Sequence, residues 1–126
     1  MDQTKREEFW NTLTHFIGIV LSLVGLPLLI FANNNLSSFS LASILFFEFG
    51  LLFVYISSTL YHYVENVELK KKLRTLDHIS IFYLIAGSYA PICLITLYND
   101  SGIGVFIAVL AIMFIGTFFK LFYTGK

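Results

Sequence analysis

ISIFYLIAGSYAPICLITLYN, residues Ile79–Asn99, runs for 21 positions without a charged side chain. As a helix it would rise about 30 Å, the thickness of a bilayer's hydrocarbon core. Phe16–Ala32 and Ser101–Phe119 are equally free of charge, and Phe39–Tyr61 carries only Glu48. The whole chain is 57% hydrophobic and 13% charged over 126 residues. Soluble domains run near 45–50% and about 25%, so a soluble fold is excluded on composition. The pattern predicts an all-α, multi-pass transmembrane bundle of four helices, with spans near 14–31, 39–62, 78–98 and 104–122. These spans use most of residues 1–126, which read as one domain.

A signal peptide is the competing reading of the first segment, with Lys5 and Arg6 as its charged region. Asn33-Asn34-Asn35 follows where a small-x-small cleavage pattern would stand, so the segment is expected to remain as a span. All eight Lys and Arg fall before the first span, between the second and third, or at the end. The segments around Asn33–Ser38 and Asn99–Gly102 have none. The positive-inside rule then predicts a cell-membrane protein with both termini cytoplasmic. Trp10, Tyr61, Tyr63 and Tyr123 would lie at the cytoplasmic interface and Tyr98 at the outer one. The formal net charge is zero, which gives no footprint for nucleic acid. Cys93, the single cysteine, lies within a span and reads as a small packing residue.

Between the second and third spans, Leu69, Leu73 and Leu76 follow i, i+4, i+7 spacing, while Lys70–Lys72 and Arg74 occupy other faces. An amphipathic helical lead-in and a solvated basic loop both fit this stretch. Gly18, Ser22 and Gly25 share one side of the first span, a pattern that lets membrane helices approach closely. Pro27 and Pro91 lie within spans and read as kinks and packing features.

The polar residues of the spans cluster at one end. His15, His62, Asp77 and His78 all fall near the same membrane face, where polar groups are costly and usually mark function. Glu7, Asn11 and His15 recur every four residues and form one helical stripe. Glu8 reads as an ordinary acid in a helix's first turn. Ser58 and His62 lie one turn apart, and Asp77 and His78 open the third span. A hydroxyl, an imidazole and a carboxylate can therefore converge. Two chemistries suit that set: a metal held by His62 with Asp77 and Ser58 around its water, or Ser58 as a nucleophile activated by His62. A hydrogen-bonded interfacial anchor is the plainer role for such a histidine. Glu48, at mid-span, reads as a carboxylic acid bonded to a neighbouring helix or as part of a polar cavity.

EEFWNTLTH (Glu7–His15), SSTLYH (Ser57–His62) and LDHISIFYLIAGSYAPICL (Leu76–Leu94) together resemble the hemolysin III family of the progestin and adipoQ receptor superfamily. The resemblance implies a membrane protein of seven helices, with a cytoplasmic N-terminus, of which this chain carries the first four. It implies that His62 is a zinc ligand, that Asp77 and Ser58 sit close to the metal, and that Glu7, Asn11 and His15 lie at the same face. The family's other two ligands form a His-x-x-x-His pair in its last helix, and this chain has no histidine after His78. One inherited ligand does not make a zinc site of about three protein donors and a water, so tight zinc binding is not expected of this chain alone. A substitute set of His15, His62 and His78 is the alternative. Membrane lipids are the implied partners, with a second copy or a second polypeptide supplying further helices. Three functions follow from the resemblance: membrane-lipid homeostasis, zinc-dependent hydrolysis of ceramide-like lipid amides, and cytolytic pore formation. A pore former should carry a polar stripe along a whole span, which ranks it last.

Overall fold

The structure, a computed structural model, describes residues 4–34 and 37–123. Helices α1 (Lys5–Ala32), α2 (Ser40–Tyr63), α3 (Val67–Pro91) and α4 (Gly102–Tyr123) account for most of it, and each is long and apolar enough to cross a membrane. No strand occurs among the described residues. The helices outrun the predicted spans where polar sequence supplies a start. Thr4 accepts from the Glu7 N–H at 3.1 Å while the Glu7 carboxylate accepts from the Thr4 N–H at 3.1 Å, a capping box that begins α1 well before Thr14. Asn66 caps α3 through the Leu69 N–H at 2.9 Å. The basic stretch is therefore helical and continuous with the third span.

The third span does not stay α-helical to Tyr98. Beyond Pro91 the chain widens into a π-helical turn, Ile92–Thr96, closed by Leu97 N–H to Ile92 C=O at 2.9 Å. Gly102 then donates to Leu97 C=O at 2.8 Å. A Cβ on Gly102 would lie 1.9 Å from the Cys93 carbonyl oxygen, so only glycine fits there.

Short connections make sequential helices antiparallel neighbours. α1 packs on α2, α2 on α3 and α3 on α4, while the backbones of α1 and α4 do not meet among the described residues. The bundle is thus a row, and its broad apolar flanks, such as Leu28, Phe31, Phe114 and Phe122, are exposed. In a bilayer these side chains meet lipid tails, so exposure there carries no penalty.

Small residues place the middle of the row. A Cβ on Gly50 would lie 2.8 Å from the Tyr83 carbonyl oxygen, and one on Gly87 would lie 3.0 Å from that of Phe46. Ser43, Ser57, Ser80, Ala86 and Ala90 are buried on α2 and α3. Close backbone approach, with the dispersion it brings, is the main adhesive between helices in lipid. On α1 the small-residue stripe is only partly used. Gly18 receives the Tyr55 ring, 2.6 Å from where its Cβ would be, and Ser22 is buried. Gly25 has nothing within 4 Å of that position. Gly50→Val should therefore destabilise the chain by about 1–3 kcal/mol, because α2 and α3 must separate. Gly25→Ala should be neutral or stabilising by up to about 1 kcal/mol. Denaturation in detergent, followed by circular dichroism, measures both, and equal losses would contradict the assignment of the tight seam.

Candidate functional site

The capped extension of α1 brings an acid within reach of two other helices. Glu8 lies one turn inside the Thr4 cap, and its carboxylate bridges α2 and α3. Oε1 accepts from His62 Nδ1 at 2.7 Å, and Oε2 pairs with the Lys70 ammonium. His62, Glu8 and Lys70 are 11%, 18% and 26% exposed, so water screens these contacts only partly. Lys70 also donates to the carbonyls of Tyr61 at 2.5 Å and Val64 at 3.2 Å, the open C-terminal end of α2. Its ammonium lies 4.6 Å from the Tyr61 ring centroid. A cation belongs at a helix C-terminus, where the unpaired carbonyls carry partial negative charge.

One and two turns deeper, a second polar chain crosses the same three helices. His15 Nδ1 lies 2.5 Å from Ser58 Oγ, with Asp77 near the Ser58 side chain. A carboxylate can only accept, so His62 Nδ1–H donates to Glu8. The neutral His62 imidazole thereby holds its hydrogen on Nδ1, leaving its Nε2 lone pair available. The two rings stand 5.7 Å apart, centroid to centroid, at 68°. Asp77 lies within electrostatic reach of His15, His62 and His78. A cleft of about 470 Å³ opens beside the Glu8–His62 pair, with Thr12, Phe9 and Glu65 among its walls.

Ser58, His62, Asp77 and His15 therefore converge. Glu7 does not join them, because its carboxylate sits in the α1 capping box. The polar stripe of α1 runs instead through Glu8, Thr12 and His15. His78 turns back on its own helix, with Nδ1 2.7 Å from the Arg74 carbonyl oxygen. Asn11 is partly buried on α1. Sequence reasoning missed Glu8 and Lys70. The signal was present: Glu8 and His15 are seven residues apart, as are Lys70 and Asp77, and two helical turns return to one face within about 20°.

The donor set decides how zinc would fare here. Two imidazoles and a nearby carboxylate are zinc-type donors, and a carboxylate behind His62 Nδ1 is the usual outer partner of a ligating histidine. Yet no three His, Cys, Asp or Glu side chains among the described residues stand where they could hold one ion. The described residues alone do not fit zinc.

The Glu8 bridge should be measurable. Glu8→Gln and Lys70→Met should each cost about 1.5–3 kcal/mol, the usual worth of hydrogen bonds to charged groups. The double variant should cost clearly less than their sum, since the second substitution removes a partner already lost. Additive losses in detergent denaturation would show that the pair is not coupled.

Comparison with known proteins closes the identification. The haemolysin-III-related family model matches residues 3–126. The chain is 37% identical over 124 residues to the hemolysin-3 homolog of Bacillus subtilis (strain 168), covering 98% of this chain and 58% of that protein. It is 32% identical over 127 residues to hemolysin-3 of Bacillus cereus, covering 100% of this chain and again 58% of the relative. It thus spans less than two thirds of either relative's length. No solved structure matches it. The chain is an integral membrane protein and belongs to the haemolysin-III-related family.

Proposed function

We propose that this protein works on or among membrane lipids, and that its Glu8–His62 and His15–Ser58–Asp77 cluster is one share of a zinc site at the cytoplasmic face of the cell membrane. The observation that carries this reading is the Glu8 carboxylate 2.7 Å behind His62 Nδ1, which holds that imidazole in the Nδ1–H tautomer, with the His15 ring 5.7 Å away. An imidazole held that way offers Nε2 to a metal or to a proton. In this reading His62 is a zinc donor, and Asp77 with Ser58 stands beside the metal as its hydrogen-bonding surroundings. The remaining donors come from residues beyond this set, on a longer chain or a second polypeptide. Lipid amide hydrolysis is the activity such a completed site would suit, and membrane-lipid homeostasis is the role that needs least of it. Pore formation finds no comparable support, since α4 carries no ionisable group between Gly102 and Phe119. Cytoplasmic orientation of the cluster rests on the Lys/Arg asymmetry, and a periplasm-active phosphatase reporter fused at Glu65 would contradict it.

Metal analysis of the purified, detergent-solubilised chain tests the shared site. The chain alone should lose zinc on dialysis. Co-expressed with the part of the Bacillus subtilis relative that lies beyond the matched region, it should retain about one zinc per complex, as the donor count of a closed site requires. His62→Ala should abolish that retention. Zinc held by this chain alone after dialysis, or none held by the pair, would overturn the reading.

A further inference from the structure

The 470 Å³ cleft is walled by the first turns of α1, the C-terminal end of α2, the turn that follows it and Lys70 of α3. Its volume falls within the roughly 300–1,000 Å³ of ligand-sized sites. Four charged residues line it: Lys5, Glu8, Glu65 and Lys70. Two of these satisfy each other. The Glu8 carboxylate takes His62 on one oxygen and Lys70 on the other. An ammonium has three N–H donors, and Lys70 places its three on Glu8 and on the carbonyls of Tyr61 and Val64. Neither group can take up a ligand's charge without giving up a partner.

Lys5 and Glu65 differ. Both are exposed, and neither forms an ion pair among the described residues. Lys5 is the first residue of α1, and Glu65 lies in the turn between α2 and α3. The cleft thus presents one open cation and one open anion on walls from different elements. The rest of its lining includes Phe9, Tyr63 and Val64. Phe9 and Tyr63 are 59% and 71% exposed, and the Trp10 ring stands 5.4 Å from that of Phe9. Aromatic rings grouped at the end of the spans mark the depth of lipid headgroups.

We propose that this cleft holds the phosphoethanolamine headgroup of a membrane phospholipid, its phosphate on Lys5 and its ammonium on Glu65, with the glycerol end against Phe9 and Val64. A zwitterion matches one open charge of each sign. A net-anionic headgroup would meet Lys5 but leave Glu65 facing a charge of its own sign. A quaternary ammonium, as in choline, has no N–H to give the carboxylate, whereas a primary ammonium forms a charge-assisted hydrogen bond. The proposal rests on the reading that this protein works among membrane lipids, and it names the headgroup. The cleft shares Glu8 and His62 with the proposed zinc share, so the headgroup is held beside it.

The full chain, purified in non-ionic detergent without added metal, is exchanged into micelles holding equimolar dioleoyl phosphatidylethanolamine, phosphatidylcholine and phosphatidylglycerol. Mass spectrometry then counts the lipid each chain retains. Phosphatidylethanolamine should be retained in preference to the other two. Lys5→Gln and Glu65→Gln should each lower its retention by about fivefold, the upper worth of an exposed charge pair. Lys72→Gln, on an exposed residue of α3 that does not line the cleft, should leave it unchanged. Circular dichroism checks that all three variants stay helical. Free glycerophosphoethanolamine, the same headgroup without chains, should not displace the lipid. No preference for phosphatidylethanolamine, full retention in either cleft variant, an equal loss in Lys72→Gln, or displacement by the free headgroup would each overturn the proposal. The readout needs no zinc, so failure here is separate from failure of the metal analysis of the complex.

Discussion

One carboxylate ties three helices together at the polar end of this molecule. Glu8 rises from α1, accepts from His62 on α2 and pairs with Lys70 on α3. The backbones of α1 and α3 are not neighbours, so Lys70 is the arm that ties the edge helix to the far side of α2. Removing such a carboxylate would leave two donors facing a partly buried space, which costs more than the bond itself contributes. Deeper in the bundle the His15–Ser58 bond joins α1 and α2 a second time.

This arrangement divides the row into two regimes. Along α2–α3, glycine and serine let backbones touch, and packing alone suffices. Along α1–α2, contact is carried by spaced polar rungs and the Tyr55–Gly18 fit, with the space over Gly25 left open. Apolar packing of the α2–α3 type discriminates poorly between sliding registers, whereas a Glu–His–Lys bridge has one geometry. Polar groups at one end of the row thus fix its register.

Much of this was legible in the residues. Uncharged runs named the four spans, and the shared depth of His15, Ser58, His62 and Asp77 named the end where they converge. The choice between Glu7 and Glu8 was not legible from four-residue spacing. Glu7 to His15 drifts about 80° around a helix, while Glu8 to His15 drifts about 20°, but only the position of α2 makes that difference count. Lys70 stood in a run of three lysines, and its role depends on the end of α2 lying beside it. The π turn after Pro91 and the open row of helices depend on long-range fit that no local pattern encodes.

The central claim is that Glu8 fixes the tautomer of His62, and nitrogen NMR of the ¹⁵N-histidine-labelled chain measures it directly. In the neutral imidazole the account predicts that His62 carries its proton on Nδ1 and that Glu8→Ala releases it to the Nε2–H form that free imidazole side chains favour. A wild-type His62 protonated on Nε2, or a spectrum unchanged by loss of the Glu8 carboxylate, would contradict it.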